Sequence, residues 1–347
     1  MKKFCLMLAT ILVTGLLLAC LVAPATAADT FKWRADAILN EKTGEVQNFQ
    51  WFCDQVKARS GGRLDIQLFP GGSLGIPPTG LYRALKSGVV HMAMGMSEFQ
   101  AGDAPSLSLD SRFYLWRDRS QRWAIHNLLE PARQEIFNRN WGIELLGGYP
   151  LYNTTDGIVT NIDGAGWQDF AGKKIRVSAP DSKRVFELRG ASAVFMPMGE
   201  LYQALKTGVI DGVDTSPRTV VGRSLYEVAK YYYPVGYPGT VLWTCEILVS
   251  KKHWDQLPAD LQQIVREAAA DASRKGACEA TDPRTEEAYL AKMREKGMTI
   301  RNFSEEDMKR SQQAALAAYK EFVSASENEN VKKMAALIAP YLPDEVK

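Results

Sequence analysis

The chain has few of the residues that build disulfide or metal sites. Its 347 residues include 5 cysteines and 3 histidines. The cysteines after residue 27 are Cys53, Cys245 and Cys278, an odd number without C-x-x-C spacing, which excludes a disulfide framework. The histidines are scattered and lack metal-ligand spacing. We therefore expect no metal, no cofactor and no histidine-based catalysis.

An excess of charge of one sign is also missing. Without Lys2 and Lys3, the 42 basic residues fall to the number of acidic ones, 40. No basic stripe stands out, and aromatic residues do not alternate with lysine or arginine, so a nucleic-acid partner is not expected. After residue 27 no apolar segment reaches the length that spans a bilayer.

The amino terminus has the pattern of a secretory signal. Two lysines precede the apolar run FCLMLATILVTGLLLACLV, and the small residues of the A-x-A site at 25–27 follow it. This pattern predicts cleavage before Ala28 and export to the periplasm. Lipid attachment at Cys20 and a retained membrane anchor are the alternatives.

A ten-residue phrase occurs twice. LYRALKSGVV at 81–90 and LYQALKTGVI at 201–210 agree at seven positions. Each has apolar residues at helical spacing, stops at a glycine (Gly88 or Gly208) and leads into a short β-branched run. Strand patterns precede both helices, at 62–70, 172–180 and 191–199. The pattern predicts parallel βαβ units in two related α/β lobes, with chance similarity of two amphipathic helices as the alternative.

The last third of the chain is helical in pattern. Residues 257–280 and 284–297 predict helices separated by a bend at Pro283, TIRNFS at 299–304 predicts a short strand, and Ser304 is a predicted cap of another helix. Helices of this length are suited to bracing one lobe against the other. The predicted organisation is a signal peptide at 1–27, a first lobe at 28–153 with 242–281, a second lobe at 154–241 with 282–335, and a tail at 336–347.

Arg176 interrupts an apolar strand pattern in KKIRVSAP. A buried guanidinium without a partner costs several kcal/mol, on the order of the penalties known for buried ions. Arg176 therefore either reaches water, joins a structural ion pair or meets an anionic ligand at the carboxyl end of its strand. A guanidinium fork fits a carboxylate through two charge-assisted hydrogen bonds.

Two patterns formally allow a hydrolase. GGSLG at 71–75 matches the nucleophile elbow around Ser73, but the prolines at 77 and 78 block the helix that this motif needs. Asp211 and Asp214 lie in DGVDTSPRT, where two acids in a turn are usually caps. Aromatic residues cluster in FYLWRD at 113–118 and YYYPVGYPGTVLW at 231–243, and such clusters pack cores or line apolar pockets.

These segments together resemble the solute receptors of tripartite ATP-independent periplasmic (TRAP) transporters. The resemblance rests on GRLDIQLFPGGSLG, the two repeated phrases, FAGKKIRVSAP and LVSKKHWDQLPADLQQIVREAA, and it covers essentially the whole chain after the signal. It implies a two-lobed periplasmic binding protein-like α/β fold with the ligand in the cleft between the lobes. It also implies that Arg176 pairs with a ligand carboxylate.

The resemblance implies further site residues by position. Where many relatives carry a ligand-binding asparagine, this chain has Thr215 or Ser216. The second arginine of many relatives is missing, and Asp156 lies near its position, which argues against a typical dicarboxylate or sialic-acid pocket. The other predicted pocket residues are Asp36, Asn40, Ser97, Glu98, Phe113, Phe195, Met196 and Trp243.

The predicted function is therefore transport rather than catalysis. We expect a periplasmic receptor for a monocarboxylate with an apolar or aromatic body, or for a 2-oxo acid. Lobe closure about segments near 150–156 and 238–244 would trap the solute, and the two membrane subunits of a TRAP transporter would receive it. A sensory binding protein for an organic acid is the alternative, and a secreted hydrolase using Ser73 or the Asp211/Asp214 pair is a further one.

Overall fold

A computed structural model describes residues 29–111, 114–116, 119–151, 155–177, 180–196, 198–235, 243–280 and 283–342. The predicted signal peptide, Phe113 and much of both predicted hinge segments lie outside these ranges. The strands are β1 (Phe31–Ala37), β2 (Leu64–Pro70), β3 (Met92–Gly95), β4 (Ile143–Pro150), β5 (Gly157–Thr160), β6 (Lys174–Val177), β7 (Ser192–Phe195), β8 (Gly212–Thr215), β9 (Tyr231–Pro234), β10 (Thr244–Ser250) and β11 (Thr299–Ile300).

The helices alternate with the strands in the first two thirds of the chain and dominate the last third. They are α1 (Gly44–Arg59), α2 (Leu81–Ser87), α3 (Arg119–Trp141), α4 (Pro180–Leu188), α5 (Leu201–Lys206), α6 (Pro217–Gly222), α7 (Lys251–Trp254), α8 (Ala259–Ala280), α9 (Pro283–Glu295), α10 (Glu305–Ala325) and α11 (Glu329–Ile338). Among the helices that the structure describes, none has the length and apolar character needed to cross a membrane.

The strands form two sheets of matching design. The first sheet has the order β2-β1-β3-β10-β4, and the second has the order β11-β9-β5-β8-β6-β7. In each sheet three parallel strands are joined by helices, with the first strand of the unit in the middle. The two α/β units predicted from the repeated phrase are therefore confirmed, and the two-lobed fold class with them.

Both copies of the repeated phrase form the predicted helix and stop. Helix α2 ends at Gly88, whose φ is 78°, and Gly208 after α5 has a φ of 71°. Left-handed backbone at these positions favours glycine because it has no Cβ. The chain then enters β3 or β8, each in the centre of its sheet.

Two strand connections run between the sheets. β4 of the first sheet leads to β5 of the second, and β9 of the second leads to β10 of the first. β10 and β4 pair antiparallel, as do β5 and β9. Beside the crossings, the Leu151 N–H donates to the Trp243 carbonyl at 2.7 Å, and the Val235 N–H donates to the Asp156 carbonyl at 3.1 Å. The described ends of the two connections are therefore held together by main-chain hydrogen bonds.

The carboxy-terminal helices contact both sheets. Helix α8 packs on α1 and β4 beside the first sheet, whereas α9 packs on α6 and α10 on α4 beside the second. Helix α11 then returns to α3, and its Val331 and Met334 join a buried apolar cluster that also contains Phe137. Ser304 caps α10 as predicted, since its hydroxyl accepts from the Asp307 N–H. The exact lobe boundaries remain a prediction.

Candidate functional site

Arg176 lies on β6, the middle strand of the three parallel strands in the second sheet, with only 3% of its surface exposed. Its Nε–H donates to the Met196 carbonyl at 3.0 Å, and Nη1 donates to the Asp214 carbonyl at 3.2 Å. These carbonyls come from the ends of the two neighbouring strands, so the guanidinium is held at the carboxyl end of the parallel unit. Open α/β sheets bind ligands at this end.

Two buried acids lie within electrostatic reach of Arg176. Burial lowers the pKa of the Arg176 guanidinium, and the charges of Asp214 and Asp156 act in the opposite direction. Burial, followed by repulsion from Asp214, raises the pKa of Asp156 well above its ordinary value. Arg176 therefore has acidic protein groups as electrostatic neighbours before any ligand binds.

Tyr114 connects the segment before α3 to the second sheet. Its phenolic O–H donates to Asp214 Oδ1 at 2.7 Å, and its ring meets Phe186 of α4 edge-on, with 6.1 Å between centroids. The main chain at Tyr114 has a φ of 61°, in the left-handed region that bulky residues rarely adopt. Strain of this kind persists where surrounding contacts hold the residue in place.

A second bridge joins α6 to α1. Arg218 Nη1 lies 2.6 Å from Glu45 Oε1, and the Glu45 side chain is fully buried. Tyr149 of β4 donates its O–H to the Glu45 carbonyl at 2.8 Å, which fixes the start of α1. The two lobes are therefore in contact through the Arg218–Glu45 ion pair as well as through the Tyr114–Asp214 hydrogen bond.

The first lobe has a buried polar network at the carboxyl end of β3. Glu246 accepts hydrogen bonds from Tyr82 at 2.7 Å, from Ser97 at 2.5 Å and from Arg133. Arg133 Nη1 also contacts Asp110 Oδ1 at 3.3 Å. Buried charges that are joined by several hydrogen bonds hold a fixed geometry.

Glu98 and Asp36 are carboxyl groups near this end of the first sheet. Burial, followed by the charge of Glu246, raises the pKa of Glu98 to about 8. Burial raises the pKa of Asp36 to about 6. Glu98 Oε2 and Asp36 Oδ1 are both buried oxygens without a hydrogen-bond partner among the residues that the structure describes.

Partly exposed aromatic rings adjoin Glu98. Phe99 meets Trp243 edge-on, with 5.1 Å between centroids, and Trp243 lies on the connection between the sheets. Trp123 stacks on His126 with 5.0 Å between centroids, and His126 Nδ1 lies 2.7 Å from Asp110 Oδ2. Aromatic rings therefore lie next to the acidic network, since Trp123 stacks on the His126 ring that contacts Asp110.

The other predicted pocket residues have varied surroundings. Thr215 is buried directly after Asp214, whereas the Ser216 hydroxyl caps α6 by accepting from the Thr219 N–H. Asn40 lies in an exposed turn, where its Oδ1 accepts from the Lys42 N–H. Phe195 is 58% exposed on the edge strand. The structure thus brings Arg176, Met196 and Thr215 together on one lobe, and Ser97, Glu98 and Trp243 together on the other.

Neither hydrolase pattern has the required surroundings. Ser73 lies in an exposed turn followed by the short 3-10 helix Pro78–Gly80, whereas a nucleophile elbow leads directly into a helix. Asp211 Oδ2 accepts from the Lys174 N–H at 2.7 Å, so this carboxylate supports the strand connection. The Asp214 carboxylate instead accepts a hydrogen bond from the Tyr114 hydroxyl. Among the described residues, no group of three metal-ligating side chains lies close enough together to hold an ion.

Sequence reasoning missed the Arg133–Glu246 network and the Tyr114 and Arg218 bridges. Glu246 carried a usable signal, since it interrupts the apolar strand TCEILVS as Arg176 interrupts KKIRV. The Tyr114 and Arg218 bridges left no signal in the sequence, because the two residues of each bridge lie 100 and 173 positions apart along the chain.

Comparison with known proteins agrees with this geometry. Residues 36–326 match the bacterial extracellular solute-binding proteins of family 7, the DctP family. This match covers most of the chain, so the protein belongs to that family, whose members are solute receptors of TRAP transporters. The predicted family is therefore confirmed, and it is a family of extracytoplasmic receptors rather than of enzymes.

Individual relatives are distant. A solute-binding protein of Chromohalobacter salexigens is 27% identical over 271 residues, covering 75% of this chain and 76% of that protein. The ectoine/5-hydroxyectoine-binding periplasmic protein UehA of Ruegeria pomeroyi is 28% identical over 265 residues, covering 72% and 73%. The crystal structure of DctP7, a Bordetella pertussis solute receptor binding pyroglutamic acid, has a TM-score of 0.79 at 22% identity, covering 89% of this chain and 100% of that one.

Proposed function

We propose that the protein binds an organic carboxylate between its lobes, with Arg176 facing the carboxylate, and delivers it to the membrane subunits of a TRAP transporter. The observation that carries this proposal is the position of Arg176, buried at the carboxyl end of the second parallel unit. Family membership supports the transport role. Bidentate pairing with a guanidinium adds about 1.5–3 kcal/mol per charge-assisted hydrogen bond.

The surroundings of Arg176 favour a solute with one carboxylate. Asp156 stands near the position where many relatives have a second arginine, and it is buried beside Asp214 rather than basic. A second carboxylate there would meet acids. Aromatic rings of Phe99 and Trp243 provide apolar surface on the opposite lobe. This combination supports a monocarboxylate or 2-oxo acid with an apolar body, bound at micromolar affinity, about −8 kcal/mol.

Lobe closure follows from the same geometry. A solute that contacts both sheets stabilises the conformation in which they face each other, and its affinity difference between open and closed forms sets the population shift. The connections near Leu151 and Trp243 are the proposed hinges. Cleavage of the signal before Ala28 would release the receptor into the periplasm.

Calorimetry on two arginine variants tests the binding proposal. We expect Arg176→Lys to lose at least about tenfold in affinity for a bound carboxylate, because lysine keeps the charge but not the planar fork. Arg184→Lys is the matched control, since Arg184 pairs with Glu321 on the surface. The titrated set contains aromatic monocarboxylates, 2-oxo acids and small dicarboxylates. Unchanged affinity in Arg176→Lys, or preferential binding of dicarboxylates, contradicts the proposal.

Uptake measurements test the delivery step. Cells that carry the receptor with its genomically adjacent membrane subunits should accumulate the labelled solute, and cells that lack either membrane subunit should not. Uptake that persists without those subunits contradicts delivery to a TRAP permease.

A further inference from the structure

The polar centre of the first lobe contains more acids than bases. Glu246 and Asp110 both contact Arg133, and Glu98 lies within electrostatic reach of all three. These groups come from different parts of the fold: Glu246 from β10, Arg133 from α3, and Asp110 from the segment before α3. His126, also on α3, lies on the far side of Asp110. One guanidinium thus faces three carboxyl groups.

Glu98 differs from its acidic neighbours in its hydrogen bonds. Tyr82, Ser97 and Arg133 donate to Glu246, and Asp110 lies in contact with His126 and Arg133. Glu98 Oε2, by contrast, is buried without a donor in the described chain. A buried polar oxygen without a hydrogen-bond partner costs free energy, so it calls for a specific explanation, such as contact with a ligand.

The surroundings of Glu98 indicate what kind of partner this is. Glu98 follows β3 at the carboxyl end of the first parallel unit, where a ligand in the cleft makes contact. The next residue, Phe99, forms a partly exposed edge-to-face pair with Trp243. Aromatic faces next to a carboxylate attract cations, including ammonium groups of ligands. An anionic group would instead meet the negative charge of Glu246 and Asp110.

We propose that the transported solute carries a cationic nitrogen in addition to its carboxylate, and that Glu98 binds this nitrogen against Phe99 and Trp243. This proposal rests on the proposed function, in which Arg176 holds the carboxylate from the other lobe. The solute is then a zwitterion whose two charged ends cross-link the lobes.

Proton release is an expected consequence. With a pKa of about 8, Glu98 is mostly protonated at pH 7 in the empty receptor. A cation placed against its carboxylate favours the ionised form, so that binding releases about one proton. A neutral or anionic group at this position would leave the proton in place.

Matched pairs of compounds test the proposal by calorimetry on the full mature chain. Glycine betaine is compared with 3,3-dimethylbutanoate, which replaces the nitrogen by carbon, and proline with cyclopentanecarboxylate. We expect the nitrogen compound of at least one pair to bind at least about tenfold more tightly than its carbon counterpart. This is the difference in affinity that one contact to a charged group provides. Titrations at pH 7 in buffers of different ionisation enthalpy measure the proton release. Glycine betaine has no group that titrates near pH 7, so a proton that is released when it binds must come from the protein.

Glu98→Gln isolates the carboxylate. Glutamine keeps the size and removes the charge, so the nitrogen compound should lose at least about tenfold in affinity together with the proton release, while the carbon compound keeps its affinity. Glu135→Gln, on the exposed side of α3, is the matched control and should change neither. Thermal melting of both variants confirms that they fold.

The outcomes separate this proposal from the proposed function. Equal affinity within each pair, tighter binding of the carbon compounds, or binding of no compound overturns nitrogen recognition by Glu98. Unchanged betaine or proline affinity in Glu98→Gln overturns it as well. If the carbon compounds bind and Arg176→Lys weakens them, the carboxylate receptor stands alone. If no carboxylate of either panel binds, the proposed function also fails.

Discussion

Tyr114 donates its O–H to Asp214, whose own main-chain carbonyl accepts from Arg176. One residue of the second sheet therefore connects the proposed anion-binding guanidinium to a tyrosine from the segment before α3. The main chain at Tyr114 has a φ of 61°. A movement of the lobes that separated Tyr114 from Asp214 would thus change the surroundings of Arg176.

Removing this hydrogen bond should destabilise the protein. Tyr114→Phe takes a donor away from the fully buried Asp214, and we expect the free energy of unfolding to fall by about 1.5–3 kcal/mol, the range for a hydrogen bond to a charged group. Urea denaturation measures the change. Tyr202→Phe is the control, because Tyr202 donates to Glu227 at the surface and should matter much less. Equal effects of both substitutions would contradict a special role of the Tyr114 contact.

The Arg218–Glu45 pair should couple the two lobes. A double-mutant cycle with Arg218→Ala and Glu45→Gln is expected to give a coupling energy of about 1–3 kcal/mol, because the carboxylate is fully buried and its partner mostly so. The same cycle on the exposed pair Arg184–Glu321 should give little coupling. Chemical denaturation of the four proteins in each cycle is the measurement. Coupling no larger than that of the surface pair would show that the bridge does not hold the lobes together.

His91 should make the protein less stable in mild acid. Burial, then the charges of His253 and Arg34, lower the pKa of His91 to about 4 from its ordinary 6.5. The unfolded chain therefore binds more protons than the folded one between these values. The contribution of His91 is complete above about pH 6.5 and is lost as the pH falls toward about 4, a loss of about 1–2 kcal/mol after allowance for partial exposure.

His91→Asn tests this pH dependence. Asparagine keeps an acceptor for the Arg34 N–H, which His91 Nδ1 now receives at 3.1 Å. Burial raises the pKa values of Glu98 and Asp36, so these two groups add to the stability of the folded protein as the pH falls and oppose the effect of His91. Only the difference between wild type and variant is therefore informative. Denaturation midpoints that fall in parallel for the two proteins from pH 7 to pH 4.5 would contradict the assignment.

Much of the fold was readable from local sequence. The two copies of the LYxALKxG phrase predicted two α/β units because helical spacing, a terminal glycine and a β-branched run are all encoded within ten residues. Even so, the copies differ in surroundings: Tyr82 is fully buried on Glu246, whereas Tyr202 bonds Glu227 at the surface. Identical residues at identical helix positions do not show which side chains the rest of the fold places beside them.

The sequence by itself determined the doubled α/β design, the position of Arg176 at a strand end and the cap at Ser304, since each depends on neighbours a few residues away. Only the tertiary structure decided that Glu98 lies among Glu246, Asp110 and Arg133, and that Tyr114 meets Asp214. The physical reason is that burial and charge pairing depend on groups brought together from distant parts of the chain. Their energies therefore belong to the folded arrangement and leave no periodic trace in the sequence.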